Sequence, residues 1–333
     1  MKKVLSLILA LAMVFALAAC GEKQPSNDGN TDGDKPARGN VIMTFGTADT
    51  GGSMYPAGAA VSQVWTNNVE GVKCNTQTST GSFQNCHDVS TGEVDVAVAT
   101  SDVVLNAYNG TGKFADIGKL DNLRVIGAVY TSVLSGVALK SSGLTYIHDL
   151  LGKRVAVGPA ASATENATLA AFGVMGIDSS NTSLENLGLG DGADSVGDGI
   201  LDAAFGFAGL PIGGQLNLAA TKEIQVLDMT QEEIDKVLAG NAAYIQTKIP
   251  AGTYTGQDND ANTFGVKCLI IVTADMDADL VYDLCKAMNE HTEEMAAGNA
   301  LLKDMTDPSF LCTQMPIPLH DGAQKYYSEQ GLI

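Results

Sequence analysis

Basic side chains are what this sequence most lacks: 19 Lys and Arg stand against 38 Asp and Glu, for a formal charge of −19. Only three arginines occur, at positions 38, 124 and 154. Such a chain has few groups with which to neutralise phosphates, so nucleic acid and anionic membrane surfaces are poor partners for it. The signatures of catalysis are missing as well. There is no GxSxG, no Walker A sequence, no HExxH and no CxxC, and the four histidines, at 87, 148, 291 and 320, are scattered. Hydrolase, nucleotide-cleaving and zinc chemistry therefore have no anchor, and neither a catalytic residue, a metal nor a cofactor is expected. Two aspartate-rich runs imitate the start of a calcium loop, at Asp28 and Asp258, but Gly39 and Leu269 stand where the closing glutamate belongs. The glycine-dense stretch 188–199 follows no strand and does not make a dinucleotide fingerprint.

Cysteine is sparse and odd in number once Cys20 is set aside, with thiols at 74, 86, 268, 285 and 312. Cys74 and Cys86 could bridge, or all five could serve as small buried hydrophobes, and spacing alone decides neither.

Long apolar runs are also absent except at the start. Lys2 and Lys3 precede Val4 to Ala19, which is apolar apart from Ser6 and too short to span a bilayer, so it reads as a secretory signal. It closes on Leu17-Ala18-Ala19-Cys20-Gly21, which resembles the bacterial lipobox. That resemblance implies cleavage before Cys20, its acylation, and a lipoprotein held on the outer face of the cell membrane. Residues 21–40 contain almost no aliphatic side chains and read as a flexible tether. Loss of the signal takes the formal charge from −19 to −21.

The remainder is long enough for two domains of ordinary size or one large one. Apolar strand-like runs at 41–47, 72–78, 94–99, 125–140, 154–158, 203–207 and 264–272 alternate with helical segments, which argues for parallel sheets. Helices are expected from Tyr55-Pro56 to near Gly71 with Trp65 in the core, from Ser82 to Thr91, up to Phe172, and over 231–239. A further helix capped by Asp277 would put Leu280, Leu284, Met288 and Met295 on one face. The expected architecture is two sheets joined by long strands, with the ligand at the strand ends.

One feature recurs. Small, hydroxylated, glycine-flanked turns precede helices at Thr50-Gly51-Gly52-Ser53-Met54-Tyr55, Ser79-Thr80-Gly81-Ser82 and Ala161-Ser162-Ala163-Thr164. Helix N-termini present unsatisfied N–H groups and partial positive charge, so three such turns suit a carboxylate or phosphate, although each alone is also an ordinary helix cap.

Six ordered motifs then match a known family: GTADTGGSMYPAG (46–58), GEVDVAVATSD (92–102), DLLGKRVAVGPAASATE (149–165), LDAAFGFAGLP (201–211), IPAGTYTGQDND (249–260) and IPLHDGAQKYYSEQG (317–331). On these the chain resembles the TAXI-type solute receptors of TRAP (tripartite ATP-independent periplasmic) transporters. The resemblance implies a type II periplasmic-binding-protein fold, with residues 41–131 and 262–333 forming one lobe and 132–261 the other. It implies capture of a small organic or amino acid, such as glutamate or 2-oxoglutarate, and delivery to a membrane permease driven by an ion gradient. Gly52, Ser53 and Tyr55 would line one wall with Ser101 beside them and Ser82 as an addition. Ser162, Thr164 and the amides around Ala161 would form the opposing anion cradle, and Phe207 an apolar lid. Where the family often has glutamine before Ser-Asp, this chain has Thr100, which puts glutamate itself in doubt as the ligand. The alternatives are an enzyme on the same scaffold, or a surface antigen, adhesin or sensor.

Overall fold

In the computed structural model, which describes residues 39–50 and 52–333, strands and helices alternate from the first described element onward. The signal segment, Cys20 and all but the last two tether residues lie outside the described residues. The first half comprises β1 (Val41–Gly46), α1 (Met54–Asn68), β2 (Val72–Gln77), α2 (Ser82–Thr91), β3 (Val96–Thr100) and α3 (Ser101–Asn109). Strand β1 pairs in parallel with both β2 and β3. Then comes the 17-residue β4 (Leu123–Leu139). The second half holds β5 (Arg154–Ala156), α4 (Ala163–Val174), β6 (Ser183–Glu185), α5 (Leu189–Gly197), β7 (Ala203–Ala208), α6 (Gly213–Thr221), β8 (Ile224–Val226), α7 (Gln231–Gly240) and β9 (Ile245–Ile249). Strand β10 (Ala261–Thr273) leads back, and α8 (Ala278–Glu290), α9 (Thr292–Gly298), α10 (Pro308–Cys312) and α11 (Asp321–Glu329) complete the chain.

The two sheets anticipated from the sequence are one. Ten strands run in the order β2-β1-β3-β10-β4-β7-β5-β6, with β8 on β4 and β9 on β10. The connectors are themselves sheet strands. Strand β4 pairs with β10 up to Val133 and with β7 from Val133 onward, while β10 pairs with β9 up to Gly265 and with β4 from there. Both strands thus change partners at one crossing, Val133 opposite Gly265. The sheet is also mixed rather than parallel, because β10 runs antiparallel to β3 and β4, and β4 antiparallel to β7. Two α/β lobes joined through shared long strands constitute the two-lobed periplasmic-binding-protein fold.

Apolar faces fill each half as the patterning predicts. Phe45 stacks on fully buried Trp65 at 5.5 Å, and the indole Nε1 donates to the Leu284 carbonyl at 3.0 Å. In the second half Phe172 meets Phe205 edge-on at 5.4 Å. Asp277 caps α8 by accepting from the Leu280 amide, but that helix stops at Glu290 and Met295 packs from α9 instead. His320 is buried, and its Nδ1 accepts from the Gly322 amide to cap α11. All five described cysteines are free and buried, so Cys74 and Cys86 do not bridge. Burial pushes the Cys74 thiol up to about 11, which keeps it protonated and unreactive.

Candidate ligand-binding cleft

Three helix starts point at one spot between the halves. Gly52, Ser53 and Met54 open α1, Thr80, Gly81 and Ser82 open α2, and Ser162, Ala163 and Thr164 open α4; all nine line a single cavity. Leu189, at the start of α5, lines it too. The local sequence explains the convergence: each helix follows a β-strand of the sheet, α1 and α2 after the neighbours β1 and β2 of the first half and α4 after β5 of the second, so the helices start at strand ends. Gly81 adopts φ +114, a backbone region open to glycine and strained for other residues, and lets the chain turn into α2. The cavity measures about 70 Å³ as space open to the centre of a water molecule, which suits a small compact ligand. Tyr130 of β4, Pro159, Phe207 and Ala208 supply apolar wall.

No Lys, Arg or His lines this cavity among the described residues, and Asp49 is its only carboxylate. Negative charge on a ligand must therefore be met by amides and hydroxyls. The N-cap residues of α1 and α2, Ser53 and Gly81, make no side-chain cap, so they do not take up the first-turn amides of those helices. The hydroxyls are differently placed. Ser162 Oγ accepts from the Glu165 amide at 3.1 Å, Thr164 Oγ1 from the Phe207 amide at 3.1 Å, and Ser82 Oγ from the Thr100 amide at 3.1 Å. Each oxygen is fixed by an amide while its own hydrogen stays available to donate, a disposition that favours an anionic acceptor.

Of the residues singled out in the sequence, Gly52, Ser53, Ser82, Ser162, Thr164 and Phe207 line the cavity, and Tyr55, Ser101 and Ala161 do not. Ser53 does not cap α1 with its side chain; its Oγ donates instead to the Gly209 carbonyl at 3.2 Å, across the two halves. Thr100 is fully buried behind Ser82 and outside the lining, so it acts on the cavity through Ser82. Ala161 takes φ +60 and donates its amide to Glu165, a turn-forming role. Glu165 also pairs with Lys113 of the other half. Burial opposes its charge, but Lys113, the Ala161 amide and Asn186 outweigh that and hold it below the usual carboxylate range. Sequence reasoning did not single out Asp49, Met54, Tyr130 or Leu189, of which Met54 lies within a recognised turn and Asp49 next to one.

A larger, more open groove of about 590 Å³ lies among Leu210, Pro211, Lys248, Pro250 and Leu301, but no α-helix start faces it.

Residues 45–331 match the NMT1-like family. Among solved structures, the chain is similar to the alkanesulfonate-binding protein SsuA from Xanthomonas axonopodis pv. citri, at 14% identity over 89% of this chain and 85% of that one, with a TM-score of 0.49. It is also similar to the aliphatic sulphonate binding protein SsuA from Escherichia coli, at 13% identity over 90% and 79%, TM-score 0.46. A substrate binding protein of an amino acid ABC transporter matches at 14% identity over 80% and 98%, TM-score 0.46.

Proposed function

The chain belongs to the NMT1-like family, and from that membership and the cleft we propose that it is an extracytoplasmic solute-binding lipoprotein of a TRAP transporter. It captures a small organic anion and hands it to the membrane permease, while acylated Cys20 holds it at the bilayer. The observation that carries the reading is the meeting of three α-helix N-termini and three amide-fixed hydroxyls on one cavity between the halves. Such a site binds a carboxylate without any basic side chain. It offers no histidine or cysteine to act on what it holds, which supports capture over turnover.

A thermal-shift screen of amino acids, dicarboxylates and oxoacids on the mature protein tests this. Stabilisation by one class without product formation is expected. Product formation would assign an enzyme, and no response from any acid would assign an adhesin or antigen with an idle cleft.

A further inference from the structure

The contact between the halves contains a buried acid. Asp102, on the first turn of α3, has no solvent exposure, and besides Thr100 of its own half it takes side-chain hydrogen bonds from two residues of the other half. Asn166 Nδ2 of α4 donates to its Oδ2 at 2.9 Å, and the Tyr244 hydroxyl, just before β9, donates to the same oxygen at 3.3 Å. Its Oδ1 is buried without a hydrogen-bond partner. Asn166 lies on the same turn of α4 as Ser162 and Thr164, so this contact sets where one side of the cavity stands relative to the other.

An ionised carboxylate in this place would lose its water, and burial outweighs the hydrogen bonds that would favour its charge. Nothing packed around it supplies a compensating cation. Cys86 of α2, Cys268 of β10 and Tyr244 are the titratable groups coupled to it, and burial keeps all three neutral, the Cys268 thiol being raised to about 12. The nearby Lys113, on the segment after α3, is engaged by Glu165 of α4. Burial lifts Asp102 above the usual carboxylate range, more than Thr100, the Val103 amide, Asn166 and Tyr244 together lower it.

We propose that Asp102 is a proton-sensitive positioning residue: it docks the first turn of α4 onto the N-terminal half as a neutral carboxyl, so closing the cleft takes up a proton. Opening about the β4 and β10 crossing parts Asp102 from Asn166 and Tyr244 and returns it to water and to its ordinary pKa. The sign follows from linkage. Closure is fully favoured below the ordinary carboxylate pKa and loses up to about tenfold per pH unit as pH rises toward the raised closed-state value.

The proposal rests on the cleft reading only for what the turn of α4 carries. Closure can be followed with no ligand present, so its failure would leave solute capture standing. The test is small-angle scattering of ligand-free mature protein between pH 4 and 9, with melting curves as a check on folding. The wild-type radius of gyration should rise with pH, and Asp102→Asn should stay compact and flat across the range. An identical pH response in both proteins, or none in the wild type, overturns the proposal. Tyr244→Phe keeps it testable if Asp102→Asn does not fold. Its ring still packs on Phe264 at 4.8 Å, while loss of a hydrogen bond that both favours the charged carboxylate and holds the closed contact must change the pH dependence of the radius from the wild type's. An unchanged pH dependence overturns it equally.

Discussion

Hydroxyl groups in this cleft do two jobs. Ser162 caps α4 through the Glu165 amide and is also a residue of the cavity lining. Ser162→Ala should therefore lose about 1 kcal/mol of stability as a lost cap, and roughly ten- to a hundredfold in affinity for the acid found by screening, as a lost hydrogen bond to a charged group. Calorimetry and melting curves read the two losses separately; unchanged affinity would move the carboxylate elsewhere in the cavity. Exposed Ser179, remote from every cavity-lining turn, is the control through Ser179→Ala. Tyr55→Phe separates geometry from family resemblance. Tyr55 lies outside the lining, and the substitution should leave affinity within about twofold, whereas a loss near that of Ser162→Ala would restore the resemblance-based wall. The turns were legible in the sequence because glycine and hydroxyl side chains before a helix have a local cause. Which neighbour faces inward was not legible: successive helix residues point about 100° apart, so Met54 lines the cavity and Tyr55 beside it does not.

At the scale of elements, what the sequence announces depends on length. Helices α1, α2 and α7 and strand β2 lie close to where periodicity and caps put them. Strands β6 and β8, three residues each, are too short to show alternation and are created by their partners. The apolar pattern through Met295 was read as one helix because packing faces persist across the break at His291. Likewise the long run from Leu123 could not reveal that one strand serves both halves, since pairing partners are a tertiary fact. The crossing itself has a testable weak point. A Cβ on Gly265 would lie 2.4 Å from the Ser132 carbonyl oxygen, a backbone atom that cannot swing aside. Gly265→Ala should cost about 1–3 kcal/mol in denaturant unfolding, the range for overpacking. Gly298→Ala, with nothing within 4 Å of its Cβ, is the matched control and should be neutral or slightly stabilising. Equal midpoints for the two variants would mean that the crossing relaxes without cost.

For the whole molecule, the proposed role raises the question of what would keep so acidic a chain at a membrane. A formal charge of −19 with three arginines gives no polybasic segment to hold anionic lipid, and no described helix is long and apolar enough to cross a bilayer. On the proposed lipoprotein reading, membrane residence would depend on Cys20. One acyl chain binds only marginally and reversibly, whereas two hold stably, and a diacylated cysteine supplies two. The wild-type protein should partition into the detergent phase and carry a radiolabelled fatty acid. Cys20→Ser should lose the label and either leave the membrane fraction or accumulate with its signal segment uncleaved. The cavity lies wholly within residues 48–208, so a released variant should bind the screened acid with unchanged affinity. Retention of Cys20→Ser in the detergent phase with label intact would overturn the lipobox reading. Loss of ligand binding in a released, correctly folded variant would instead tie the tether to the cleft, a coupling that the lining residues give no reason to expect.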